Sequence, residues 1–525
     1  MTDHRNGGAA VVETLAAHGV DTLFGIPGTH NLELYRHFDA NGIRAITPRH
    51  EQGAGYAAEA YARVSGRPGV VVTTSGPGLT NAMTAAATAY AESQPVLLLS
   101  SGMPTGAEGR DLGQLHEAKN ASGAMHQLVA WSRRVGNADE AAAAVTEAFT
   151  GFTGRRPRPV HIEIPVDVLE QAWTGEPRIA AAVAPPVADR DTVRHVAELL
   201  AGATRPLIIA GGGAVDAQTE LTAVAEAVGA PVATTVNGKG TVDEAHPLSV
   251  GASIRLRALQ KAAADSDALL VVGSELGDSD LWEGQIRGRT VIRCDIDPAQ
   301  LNKNCPADYT LLGDSAATLA AVLDALPAKT GGGEQRAAEL RTECRSEAAA
   351  DAGVYAEINA AVRAALPTEA ALAGDSSQVT YFGSVHYFDV PAPRRFCYSP
   401  GYATLGYGLP AGLGAAIGRP GAPAAVLLGD GALMFSVQEL TTLVEQKLSV
   451  PVIVVDSGGY REIQDQEAAR GIPPIGVKLR TPDLAALAIA MGADGVRTTS
   501  TADLPELVSA ALAADGPTVI HFDIR

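Results

Sequence analysis

Residues Ala424-Ala425-Val426-Leu427-Leu428-Gly429-Asp430-Gly431 are an apolar run that stops at a small, bare turn. Such a run reads as a buried parallel strand feeding a helix. A second run, Pro451 to Val455, ends in Asp456-Ser457-Gly458-Gly459-Tyr460. Two strand ends of one α/β unit meet at the carboxyl edge of the sheet, where open sheets bind ligands. The first end brings a carboxylate and backbone N–H groups; the second brings oxygen ligands and a carbonyl. This set suits a small hard cation holding a diphosphate, because magnesium takes oxygen ligands and often bridges to phosphate. Alone, Gly-Asp-Gly fits a plain strand-to-helix turn equally well.

The same alternation recurs upstream. Val70–Thr74, Pro95–Ser100 and Val160–Pro165 read as buried strands, with Ala-rich helices between them. Ala180 to Val187, carrying Pro185-Pro186, reads as a linker. Pro206–Ala210, Ala268–Gly273 and Val291–Asp297 form a second block, and Ala328 to Gln335, with its glycine triplet, a second linker. Strands alternating with helices throughout predict an α/β chain of three doubly wound parallel-sheet domains. The expected spans are 1–175, 188–327 and 345–525. Gly211-Gly212-Gly213 lacks the GxGxxG spacing, so a tight turn is favoured over a nucleotide site.

Composition narrows the function. At 525 residues the chain exceeds one core, and 46% hydrophobic residues support a fully folded protein. A net charge of −19 argues against nucleic acid or an anionic membrane as partner. Cys294, Cys305, Cys344 and Cys397 show no CxxC spacing, so buried thiols in a cytoplasmic protein are expected. Met1 to Gly8 is polar, and no stretch of about 18 apolar residues occurs, so neither a secretory signal nor a membrane span is expected.

Four further motifs stand in order with Gly-Asp-Gly: Phe24-Gly25-Ile26-Pro27-Gly28-Thr29-His30-Asn31, Arg49-His50-Glu51-Gln52-Gly53, Thr74-Ser75-Gly76-Pro77-Gly78-Leu79-Thr80-Asn81 and Leu405-Gly406-Tyr407-Gly408-Leu409-Pro410. Together they resemble the thiamine diphosphate enzymes of the acetolactate synthase and pyruvate decarboxylase superfamily, over nearly the whole chain. The run from Gly25 to Gly113 is most similar to the 5-guanidino-2-oxopentanoate (2-ketoarginine) decarboxylases.

The resemblance implies roles. Glu51 would bond the cofactor's aminopyrimidine ring and control loss of the thiazolium proton; on the residues alone it is also a plausible helix N-terminal carboxylate. Leu405, after Ala403-Thr404, would be the apolar wedge that bends the cofactor. Thr74, Pro77, Asn81 and Ala403 would also bind the cofactor. Ser377, Gln378, Gly431 and Ala432 would hold the diphosphate, the last two through backbone N–H groups. Asp430 would bind Mg2+ with Ser457 and the Gly459 carbonyl. The family places Asn-Asn where Asp456-Ser457 stands, and a hydroxyl is shorter and a poorer ligand than an amide oxygen, so a bridging water or a contribution from Asp456 is expected. Thr29, His30 and His116 would face the substrate, a histidine being able to carry a proton near neutral pH. Glu462 and Asp465 are candidates for a cationic tail, or else part of a solvated helix face with Arg461 and Glu467.

The expected activity is thiamine diphosphate- and Mg2+-dependent decarboxylation of a 2-oxo acid, 5-guanidino-2-oxopentanoate to 4-guanidinobutanal, in arginine catabolism. The alternatives are an acetolactate synthase-like carboligase and a non-catalytic homologue with a degraded metal site. A homodimer or homotetramer with active sites shared between subunits is expected from the family.

Overall fold

Eighteen strands, paired in parallel throughout, form three six-stranded sheets in the computed structural model, which describes residues 5–327 and 331–525. Part of the polar N-terminal stretch and part of the second linker lie outside those residues. The first sheet contains β1 (Thr22–Gly25), β2 (Arg44–Ile46), β3 (Gly69–Thr73), β4 (Val96–Gly102), β5 (Ser132–Arg134) and β6 (Val160–Pro165). The second contains β7 (Pro206–Ala210), β8 (Val232–Thr234), β9 (Ser249–Ala252), β10 (Ala268–Val272), β11 (Val291–Asp295) and β12 (Tyr309–Leu312). The third contains β13 (Ala371–Gly374), β14 (Phe396–Cys397), β15 (Ala424–Gly429), β16 (Pro451–Asp456), β17 (Asp494–Thr498) and β18 (Thr518–Asp523).

Central strands such as β3, β4 and β16 are buried along their whole length, as continuous apolar runs demand when helices cover both faces. The outermost strands β5, β12 and β17 carry exposed residues. The first sheet runs β2-β1-β3-β4-β6-β5 and the third β14-β13-β15-β16-β18-β17, the same order twice, although no sequence repeat betrays it. In both, the order reverses beside the first strand, so the loops after β1 and β3, and after β13 and β15, diverge to opposite faces and leave a crevice. Three of the quoted motifs, Phe24–Asn31, Thr74–Asn81 and Gly429-Asp430-Gly431, lie in or begin from those loops.

The second sheet, β12-β11-β10-β7-β8-β9, reverses between β7 and β10. There Gly211–Gly213 packs on the next loop: Gly213 N donates to the Gly273 carbonyl at 2.9 Å, and a Cβ on Gly211 would lie 2.4 Å from that oxygen. The triplet makes a tight turn because no side chain fits between the two backbones.

The first and third domains share one core. The helix Glu51–Ser65 lies against the helix Gly408–Gly418 so closely that a Cβ on Gly414 would stand 2.1 Å from the Ala57 carbonyl oxygen. At the junction of all three domains a buried Arg63 bonds Glu59 at 2.6 Å and Asn237 of the second sheet's domain at 2.6 Å. Asn237 in turn donates to Glu92 at 2.7 Å, and Glu92 accepts from Ser399 at 3.0 Å and Gly401 N at 2.8 Å. The helix Glu334–Ala352 runs through the expected start of the third domain, and its Leu340, Cys344 and Ala348 pack in a core of the central domain. All four cysteines are free and buried. No helix among the described residues is long and apolar enough to cross a membrane.

Candidate active site

The crevice of the first sheet gathers the pyrimidine-side candidates. Glu51 is the first residue of its helix, N-capped by His50, and is 8% exposed. Its position is thus both that of a macrodipole-stabilised carboxylate and that of a buried one. Asn81, one turn into the helix Pro77–Ala91, donates to Glu51 Oε2 at 2.9 Å. A Cβ on Gly78 would lie 3.2 Å from Glu51 Oε1 and 2.9 Å from Thr74 Cγ2, so bare backbone at Gly78 keeps Glu51 and Thr74 together. Thr74 Oγ1 is buried without a hydrogen-bond partner among the described residues. Pro77 opens the helix at its first position, where a missing N–H costs nothing.

Thr29 is exposed at the end of the β1 loop, and His30 is half-buried beside it. His30 Nδ1 lies 2.6 Å from Ser75 Oγ, and its ring meets that of His116 edge-on at 5.5 Å between centroids. Burial, then the neighbouring His116, pushes the His30 pKa down. His116 has φ +63°, in the left-handed region, and its buried Nδ1 has no partner among the described residues. A Cβ on Gly76 would stand 2.5 Å from the His116 carbonyl oxygen, so only glycine admits this loop.

At the third sheet's crevice Asp430 is 2% exposed and begins the short helix Asp430–Leu433. Its Oδ1 accepts Ser457 N at 3.2 Å and Ser457 Oγ at 3.4 Å. Its Oδ2 accepts Gly459 N at 2.9 Å and Thr481 Oγ1 at 2.8 Å. Burial raises its pKa, with Asp456 adding to the shift, so a cation beside it would be welcome. A Cβ on Gly431 would lie 3.3 Å from the Gly459 carbonyl oxygen, which places that oxygen over the helix start. Among the described residues no group of three or more His, Cys, Asp or Glu could hold a metal. The donors here are one carboxylate, one hydroxyl and one carbonyl, all hard oxygens, and they fit magnesium. Asp456 is not free to join them. Its Oδ2 lies 2.9 Å from His521 Nε2 and 3.4 Å from Arg525, and its Oδ1 accepts Gly458 N at 3.0 Å.

Ser377 stands over the same turn, its Cβ 3.1 Å from where a Gly429 Cβ would be. Gln378 points elsewhere: its amide donates to Glu462 at 3.0 Å and Asp465 at 2.9 Å and accepts from the Tyr355 hydroxyl at 3.1 Å. Asp465 also pairs with Arg461 at 3.0 Å on an exposed helix face. The backbone N–H groups of Gly431 and Ala432 lie in the first turn after Asp430.

Leu405 is half-buried against the core shared by the first and third domains. Its loop is pinned by a residue the sequence reading passed over. Asp375, fully buried at the end of β13, accepts Gly406 N at 3.2 Å and Gly408 N at 2.7 Å. Burial pushes its pKa up to about 7, and those N–H groups hold it down from going further. Ala403, at φ +50°, turns the loop, and Thr404 bonds Tyr56 of the Glu51 helix at 2.7 Å. Two other unforeseen residues brace the site. Thr481 bridges towards Asp430 and Asp456, and Glu439 accepts Arg49 N and His50 N, both at 3.1 Å, just ahead of Glu51. Asp375 had a signal, an acid at a strand end before Ser376-Ser377; Thr481 and Glu439 had none, since both act across long sequence separations.

Three domain families match the chain in the order of its sheets: the N-terminal TPP binding domain of thiamine pyrophosphate enzymes at residues 5–127, the central domain at 193–322 and the C-terminal TPP binding domain at 375–522. A probable 2-ketoarginine decarboxylase of Pseudomonas aeruginosa is 40% identical over 493 residues, 92% of this chain and 88% of that protein. A probable acetolactate synthase large subunit of Methanocaldococcus jannaschii is 32% identical over 99% of this chain and 92% of its own. The acetolactate synthase isozyme 2 large subunit of Escherichia coli is 30% identical over 99% of this chain and 95% of its own. The chain belongs to the thiamine pyrophosphate (thiamine diphosphate) enzymes.

Proposed function

We propose that this protein is a Mg2+-dependent member that decarboxylates 5-guanidino-2-oxopentanoate, releasing carbon dioxide and 4-guanidinobutanal. The observation that carries the reading is the 40% identity, over 92% of the chain, to a probable 2-ketoarginine decarboxylase. When bound, thiamine diphosphate supplies the electron sink for the pair left behind by carbon dioxide. The chain's own residues do the rest. Glu51, oriented by Asn81, holds a proton at the pyrimidine side. Asp375 fixes the loop that carries Leu405. Asp430, Ser457 and the Gly459 carbonyl hold the metal, with Thr481 steadying Asp430. One proton must replace the lost carboxyl group on the product carbon. We assign its delivery to His116, whose ring meets that of His30 edge-on at 5.5 Å between centroids.

The site residues belong to different domains, and a dimer or larger assembly with shared sites is part of the proposal. Mixed oligomers of inactive Glu51→Gln and inactive Asp430→Ala chains should then recover activity, and verified hybrids without recovery refute sharing. The functional reading itself is tested with a panel of 2-oxo acids assayed for carbon dioxide, aldehyde and coupled products. Preference for pyruvate with acetolactate as product would favour the carboligase reading, which the 30–33% identical acetolactate synthases keep as the second choice.

A further inference from the structure

A cleft of about 860 Å³ opens where the three domains meet, within the size range of small-molecule sites. Asp280 and Trp282 of the central domain line it, together with Tyr381, Tyr398, Ala403 and Glu462 of the third domain, and the rings of Trp282 and Tyr381 meet edge-on at 5.9 Å. Ala403 lies two residues before Leu405, and Glu462 three beyond Gly459, so the cleft adjoins the elements assigned to the cofactor.

The charges in this cleft are unevenly matched. Lys303 pairs with Glu275 at 2.7 Å. Arg255 pairs with Asp351 at 3.5 Å and lies over the Trp282 ring at 4.6 Å. Arg158 donates to the Tyr90 carbonyl and sits 4.2 Å over the Tyr90 ring. The acids differ. Among the described residues Glu462 accepts only from the neutral amides of Gln378 and Gln466, at 3.0 and 2.9 Å. Asp280 Oδ1 is enclosed with no hydrogen-bond partner among the described residues. Burial, then Glu92 and Glu275, pushes the Asp280 pKa up to about 7, against the Val236 backbone. A carboxyl held in this way is costly to the fold and recovers that cost when a cation binds.

We propose that Asp280 is the residue that anchors the guanidinium end of the substrate, with Glu462, Tyr381 and Tyr398 of the same cleft lining its path. A guanidinium suits this setting because it bonds carboxylate oxygens in a fork and stacks on aromatic faces. The inference rests on the reading of the enzyme as a decarboxylase of a cationic 2-oxo acid, and it places recognition on the central domain.

The test compares wild type and Asp280→Asn on 5-guanidino-2-oxopentanoate and on its neutral isostere 5-ureido-2-oxopentanoate. Wild type should favour the cationic acid. In Asp280→Asn, kcat/KM for that acid should fall by about 100-fold or more, the scale of losing one partner of a desolvated pair, while kcat/KM for the ureido acid stays within about threefold. The melting temperature should hold or rise, because a buried carboxyl whose Oδ1 has no partner among the described residues has lost its charge, whereas loss of a purely structural residue would lower it. Asp280→Glu, which keeps the charge, should keep the preference. If Asp280→Asn melts early, Asp280→Ser carries the same comparison. Equal losses on both substrates, or a preserved cationic preference in the neutral variants, overturn the anchor while leaving the activity standing. A wild type that does not prefer the guanidino acid overturns the functional reading as well.

Discussion

Replacing Glu439 by Gln should damage the site from a distance. The Glu439 side chain is fully buried in the third domain, yet it reaches the first domain, where it accepts Arg49 N and His50 N at 3.1 Å each, with Thr442 Oγ1 at 2.8 Å. Those N–H groups immediately precede Glu51. Hydrogen bonds to a charged group are worth about 1.5–3 kcal/mol each, and burial, which raises the Glu439 pKa, offsets part of their sum. Gln keeps one acceptor and turns an NH2 towards the remaining donors, so the expected loss is about 2–4 kcal/mol. Urea titration measures it, alongside kcat and the thiamine diphosphate Kd. Turnover should fall because the first turn of the Glu51 helix loses its fixed start. Thr442→Val, which removes only a hydroxyl donor, should cost about 1 kcal/mol and spare kcat. Gly53→Ala should mimic Glu439→Gln, since its Cβ would lie 2.4 Å from Glu439 Oε1. Wild-type stability in Glu439→Gln refutes the clamp; lost stability with unchanged kcat and Kd refutes its role in placing Glu51.

Glu51→Gln should lower kcat by about 10²–10⁴-fold or more while retaining much of the cofactor affinity, as calorimetry can show; near wild-type turnover would remove Glu51 from the chemistry. Ser457→Asn should tighten Mg2+ and thiamine diphosphate binding or leave it unchanged, because an amide oxygen reaches further than the hydroxyl that now lies 3.4 Å from Asp430; strongly weakened binding would mean that Ser457 belongs to a tuned geometry. Asp280 has its folded-state pKa raised to about 7, so its stabilising share is present at low pH and is lost as pH climbs from about 4 through 7. Urea midpoints at pH 5 and 8 should therefore differ less in Asp280→Asn than in wild type, the part due to Asp375 remaining; an unchanged difference would contradict a strained Asp280.

Strands such as β4, β10, β15 and β16 were legible because strands buried on both faces must be apolar along their whole length, and this leaves a local signature. The motifs carrying Thr29, Glu51, Asn81, Leu405 and Asp430 stood out for a related reason: a turn in which backbone packs closely needs glycine at fixed offsets from its neighbours. The identical strand order of the first and third sheets was not legible, since topology is set by helix faces and crossover handedness rather than by repeated residues. Neither was the withdrawal of Asp456 towards His521, 65 residues away, nor the hold of Gln378 on Glu462 and Asp465. Asp375, Glu439, Thr481 and Asp280 gain their meaning only from partners brought in by folding. Local chemistry wrote the strands and their glycine-bearing turns into the sequence; burial and long-range pairing, which no short window contains, decided which carboxyls are clamped and left Asp280 Oδ1 without a partner among the described residues.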